Sequence, residues 1–214
     1  MIRRATPVAA AVVLGAVLAT TFGCGIGVDE RPRALQVTST TTTTTTAPST
    51  GRIVSILYYV NEGSFVPAST ELPDNDLATV IRALLMPPPS TLGVNGTLSS
   101  IPAGTELLSL SRDTTRLTIN LSAPFDNVVG LSRQQAIGQM VLTVTERAQF
   151  DAIDFQVEGK AIQVSSPSQG DTPIVTACDF APLLATTEDA SSASLSEDMA
   201  AVLAERRNRL DEAC

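Results

Sequence analysis

Residues 51–214 predict an α+β domain: a two-layer mixed β-sheet with two helices packed on one face, plus a C-terminal helix. Three observations predict it. Segments with strand character recur, and two of them alternate apolar and polar residues with period two. Two other segments repeat apolar residues at helical spacing. Proline, glycine and Asp/Asn residues punctuate the borders between the two kinds.

The first element is "RIVSILYYV" (52–60), β-rich and apolar on both faces, which predicts a central strand. "SFVPAST" comes next as a short edge strand, because Pro67 has no N–H for a ladder. A helix is predicted over 76–86, with Leu77, Val80, Ile81, Leu84 and Leu85 on one stripe. Asp74 or Asn75 can cap its start, and the prolines at 87–89 stop it. The Asp74-Asn75-Asp76 run lacks the following glycine and the distant glutamate of a calcium loop, so it is read as capping.

A β-hairpin is next, with its turn at 112–116. Leu108 and Leu110 alternate on one arm; Leu117, Ile119 and Leu121 alternate on the other. The second helix is expected over 133–149, with Ser132 and Gln135 at capping-box spacing. Ile137, Met140, Val141, Val144 and Ala148 form its buried stripe, and Gly138 inside it permits close packing. "AIDFQVEGKAIQV" gives a strand, a tight turn and a return. Its Gly159-Lys160 pair has no Gly-rich loop before it and is no P-loop. A loop is expected over 188–194. A last helix closes the chain, with Met199, Val202, Leu203 and Leu210 as its apolar stripe and Arg206, Arg207 and Arg209 leaving its end hydrated.

Upstream of the domain the chain reads differently. Arg3 and Arg4 precede the apolar run "VAAAVVLGAVLA", too short to span a bilayer and long enough for a signal peptide. Then comes Thr-Phe-Gly-Cys. A small residue directly before a cysteine at this place is read as a bacterial lipobox, although Thr21 stands where leucine is usual. Residues 1–23 are therefore a lipoprotein signal peptide and Cys24 the lipidation site, a diacylglyceryl anchor of palmitate-type chains. The alternative is an ordinary signal peptide that leaves Cys24 free. Each buried CH₂ stabilises attachment by about 0.8 kcal/mol, so two or three chains hold without a transmembrane helix.

Residues 24–50 have no apolar period and carry seven consecutive threonines at 40–46. Such a segment cannot bury enough surface to offset its ordering entropy, and it reads as a tether spanning roughly 30 Å. The protein is expected on the outer face of the cytoplasmic membrane, attached through Cys24.

Composition excludes several chemistries. The formal charge is −8, and loss of Arg3 and Arg4 with the signal peptide makes the chain more acidic still, so nucleic acid is not expected as a partner. Histidine is absent, which removes every Ser-His or Cys-His nucleophile arrangement and the commonest metal ligand. No catalytic, cofactor-binding or metal-binding residue emerges. Of three cysteines, Cys178 and Cys214 remain after Cys24. Outside the cytoplasmic membrane they are expected to pair, closing a loop of about 36 residues worth about 4 kcal/mol; two free thiols are the alternative.

The order of these signals resembles a known family. "ILYYVNEGSFVPAS", "VIRALLMPPPSTLGVNGTLSSIPAGTELLSLS", "LTINLSAPF" and "SRQQAIGQMVLTVTERAQFDAIDFQVEG" are similar to the GerMN domain of sporulation proteins and actinobacterial lipoproteins. Leu98, Ser100, Ile101, Pro102, Gly104 and Thr105 carry its most specific part. The resemblance implies a domain over 51–165, no enzymatic activity, and a fold similar to ring-building motifs of envelope assemblies. It leaves residues 166–214 as an extension, expected to be tied on by the Cys178–Cys214 bond. The motif at 101–105 bears no catalytic group and reads as a structural turn.

The expected function is that of a non-enzymatic lipoprotein that binds an envelope protein or itself, in surface or sporulation-type assembly. One alternative is an accessory ligand sensor for a membrane signalling protein, which requires a concave apolar pocket with a few convergent polar groups. Another is a hydrolase using Glu62, Glu71 or Asp126, which requires two of them in one cleft.

Overall fold

Two strands open the structure, a computed structural model that describes residues 51–88, 96–148 and 150–214. The expected signal peptide, Cys24, the expected tether, Pro89 and Gln149 lie outside the described residues. β1 (Ile53–Asn61) and β2 (Ser64–Leu72) pair antiparallel without interruption, from Ile53 opposite Leu72 to Asn61 opposite Ser64. Glu62 and Gly63 make the connection with φ of 49° and 94°. A two-residue hairpin turn of this twist needs left-handed backbone at such positions.

The expected central strand is corrected here. Leu57, Tyr58, Tyr59 and Val60 are all buried, so both faces are indeed covered. Yet among the described residues β2 alone shares β1's sheet, and beyond it β1 makes a single bridge, Val60 with Leu98. Helical side chains serve the backbone of Tyr58. The Tyr58 N–H donates to Thr143 Oγ1 at 3.0 Å, and Gln139 Nε2 donates to the Tyr58 carbonyl at 3.1 Å. Nor is β2 short: it runs nine residues, with Pro67 opposite Tyr58. Proline is tolerated there because β2 lies at a sheet edge.

α1 (Leu77–Leu85) buries Val80, Ile81 and Leu84, as its spacing predicts. Its N-cap is Asp76, not Asp74 or Asn75, and makes no side-chain cap bond. Asp74 instead accepts the Asp76 N–H at 3.0 Å, while Asn75 accepts from the Ser55 hydroxyl at 3.2 Å.

β3 (Leu107–Asp113) and β4 (Arg116–Leu121) form the expected hairpin. β4 keeps strict alternation, with Leu117, Ile119 and Leu121 fully buried. β3 does not. A register shift between Leu107 and Ser109 turns Leu108 outward and leaves Leu107 and Leu110 against the core. β4 then leads through a tight helical turn (Ala123–Asn127) and α2 (Gly130–Val144) to β5 (Ala152–Val157), which runs parallel to β4 from Ala152 opposite Arg116. β6 (Lys160–Ala161) returns antiparallel, giving the order β3-β4-β5-β6.

α2 begins three residues before its expected start. Val129 is its N-cap and Gly130 adopts φ 60°; Ser132 lies inside the helix and forms no capping box. Its buried surface is also wider than a stripe. Every residue from Ala136 to Val144 is buried, which is the pattern of a helix enclosed on all sides. Gly138 is where the packing is tightest. A Cβ there would overlap Phe65 Cζ and lie 2.8 Å from Phe180 Cδ1.

The remaining chain adds a small hairpin, β7 (Val164–Ser166) and β8 (Gly170–Thr172), then α3 (Ala177–Phe180), α4 (Thr187–Ser192) and α5 (Glu197–Ala213). The loop expected over 188–194 is mostly α4, nucleated by a reciprocal Thr186–Asp189 capping box. The class is α+β. Its strands, however, divide among a four-stranded mixed sheet and two hairpins rather than one sheet. All described residues belong to one compact unit, Ala47–Cys214.

Candidate functional site

The Leu98–Thr105 motif spends its polar groups on its own scaffold. Leu98 exchanges backbone bonds with Val60 at 2.8 and 2.9 Å. The Ser100 N–H donates to Gln139 Oε1 at 2.7 Å, and its hydroxyl donates to Gln135 Oε1 at 3.1 Å. Gln139 is fully buried and links the motif to β1 through the Tyr58 carbonyl. Ile101 is buried; Gly104 takes φ 81°; the Thr105 N–H and hydroxyl both donate to the Pro102 carbonyl. This is a turn locked onto α2.

Beside it lies an open cleft of about 650 Å³, lined by Glu62, Leu98, Ile101, Val128, Ser132 and neighbouring residues. Three large apolar side chains are exposed at or beside it. Leu98 is 66% exposed, and Val129 and Leu131, which adjoin the wall residues Val128 and Ser132 in sequence, are 71% and 65% exposed.

Of the carboxylates considered for hydrolysis, only Glu62 is in the lining of this cleft. Glu62 sits in the β1–β2 turn and Glu71 near the far end of β2, about 25 Å along the hairpin. Glu71 contacts Arg52 at 3.8 Å, and Asp126 contacts Arg133 at 3.6 Å. Among the described residues, no three His, Cys, Asp or Glu side chains are placed to hold a metal ion.

Family membership is decided by the sequence that builds this scaffold: residues 56–163 match the family described as Germane, sporulation and spore germination. The chain belongs to the Germane family. Solved structures similar to this Germane protein include two of the sporulation protein GerM from Bacillus subtilis. Its tandem GerMN domains are 19% identical, with 60% of this chain and 48% of that one covered and a TM-score of 0.48. Its first GerMN domain is 20% identical, with 57% and 94% covered and a TM-score of 0.46. A Clostridium perfringens protein provisionally assigned as a lipoprotein is 19% identical, with 63% and 94% covered and a TM-score of 0.40. The chain thus spans about half the length of the tandem GerM structure. No curated protein matches it.

The Germane match ends before β7, and the C-terminal extension is the part that sequence reasoning read least well. Of the three arginines expected to leave the end of α5 hydrated, Arg209 is exposed, Arg207 is half-buried and Arg206 is buried. Arg206 is 5% exposed; it donates from Nη1 and Nη2 to the carbonyl and hydroxyl of Thr145 and lies 3.5 Å from Glu146. Arg209 binds Glu146 Oε1 at 2.6 Å, and the Tyr58 hydroxyl donates to Glu146 Oε2 at 2.9 Å. Arg207 donates to the Leu184 and Ala185 carbonyls. Burial pushes the Tyr58 phenol well above its ordinary range, and the adjacent Glu146 charge adds to this. Burial also lowers the Arg206 guanidinium against the pull of Glu146. No sequence signal marks such a network, because arginine near a helix end is ordinarily solvated.

A second node is equally hidden. Asp179 is buried and accepts from Ser166, Ser168, Gln169 and Thr176. Burial alone would raise its carboxyl; these donors outweigh it and hold the group below its ordinary value. Its signal in the sequence is Thr-x-x-Asp at 176–179, a capping box. Adjacent Cys178 is joined to Cys214, with the two Cα atoms 5.6 Å apart. Among the described residues, no helix is long and apolar enough to cross a membrane.

Proposed function

We propose that this Germane protein is a non-enzymatic envelope lipoprotein. Cys24 anchors it on the outer face of the cytoplasmic membrane, residues 24–50 hold the domain away from the bilayer, and the domain binds a partner protein in surface or sporulation-type assembly. The observation that carries the reading is the contrast at the motif end. The motif's own Ser100 and Thr105 spend their polar groups on internal hydrogen bonds, whereas Leu98, Val129 and Leu131 face solvent. A site for acid–base or nucleophilic work needs convergent, available polar groups. A site for a protein partner needs exposed apolar side chains that a partner can cover. Family membership supports the sporulation-type setting. Crosslinking in intact membranes tests the proposal. Wild-type protein should give a discrete adduct with one envelope protein or a second copy, and the double variant Leu98→Asp, Val129→Asp should not. An identical adduct pattern from both proteins would overturn it.

A further inference from the structure

α5 and the end of α2 enclose a second cleft, of about 490 Å³, built from both the Germane domain and the extension. Phe150, Leu210 and Ala177 give it an apolar lining, and Cys178 of the disulfide forms part of its wall. Its volume falls in the range of small-molecule sites, which are apolar hollows with a few placed polar groups. The polar groups here have an uneven charge balance. Glu146 contacts both Arg206 and Arg209. Arg147, also in the lining, spends its guanidinium on the Val54 carbonyl, a neutral acceptor, and has no ion pair among the described residues. Asp151 is the other acid of the lining, so three guanidinium groups face two carboxylates, in a protein of net charge −8. Arg206 Nε is buried 3.5 Å from Glu146 Oε2 and makes no hydrogen bond.

We propose that this cleft binds a small amphiphile with one anionic head and an apolar body, the head meeting Arg209 at the mouth and the body lying against Phe150 and Leu210. Arg209 suits that role because its side chain is 44% exposed while Glu146 fixes its position. The site gives the extension beyond the Germane match a binding role separate from the partner-binding face, since the two clefts share no lining residue.

Isothermal titration of residues 24–214 with decanoate, decyl phosphate, decanol and decyltrimethylammonium tests this, all below their micelle concentrations. The two anions should bind saturably at one site, and the tighter of them distinguishes a carboxylate from a phosphate head. Arg209→Gln should weaken anion binding about tenfold, the loss of one charge-assisted hydrogen bond. Ala213→Trp, at an exposed lining position, should block all binding while leaving the thermal midpoint unchanged. Equal affinity for decanoate and decyltrimethylammonium, no saturable binding of either anion, or affinities unmoved by both substitutions would overturn the proposal. None of these outcomes bears on the Leu98 face.

Discussion

Arg206 and Thr145 share two hydrogen bonds: Nη1 donates to the Thr145 carbonyl at 2.9 Å and Nη2 to its hydroxyl at 2.6 Å. Thr145 is the C-cap of α2, where backbone carbonyls run out of helical partners. Arg206, 61 residues downstream on α5, supplies the missing donor. Replacing it with methionine should therefore cost about 3 kcal/mol, because the Thr145 carbonyl and Glu146 lose their buried cation together. Arg209→Ala, at a half-exposed pair, should cost less than about 1 kcal/mol. Urea unfolding of the two variants checks the difference.

Gly138→Ala should destabilise the protein. In an open helix the exchange gains about 1 kcal/mol. Here the new methyl meets Phe65 and Phe180, whose rings stack edge to face at 6.4 Å, and overpacking of this kind costs about 1–3 kcal/mol. A lowered urea midpoint is the expected result, and a raised one would show that these rings yield.

The Cys178–Cys214 bond should be present in protein taken from its native cells. Non-reducing peptide mapping should yield the two cysteine peptides joined within one chain. Cys214→Ser should lower stability by about 2–4 kcal/mol. Free thiols, or a bond between two chains, would contradict the pairing.

Asp179 should make acid stability steeper. Its folded-state carboxyl sits below the ordinary value of 3.8, so its contribution is complete above that value and is lost as pH falls through the folded one. Asp179→Asn should lower stability at neutral pH and flatten its fall in acid. Urea midpoints measured from pH 7 downward should converge for the two proteins.

The parts of the fold that are legible in the sequence obey local rules. Leu117, Ile119 and Leu121 alternate because β4 is buried on one face, and α1 ends where the prolines begin. The parts that are not legible depend on distant partners. Ser132 and Gln135 have capping spacing, yet Gln135 is drawn to Ser100 and the helix starts earlier at Gly130. Leu108 loses its place to a bulge that pairing with β4 imposes. β1 reads as central because it is apolar on both faces, but α2 provides Thr143 and Gln139 where a strand is expected. α4 carries almost no apolar residue, so only its Thr-x-x-Asp box announces it.

The proposed partner-binding face is tested most directly by a photoreactive residue placed at Val129 in the protein within intact cells. A second placement at Glu188, exposed on α4, serves as the control. The account predicts one discrete adduct from Val129, lost with Leu98→Asp and strongly reduced in Cys24→Ala, which removes the proposed anchor, and none from Glu188. Adducts of equal yield and identity from both positions, persisting in both variants, would contradict it.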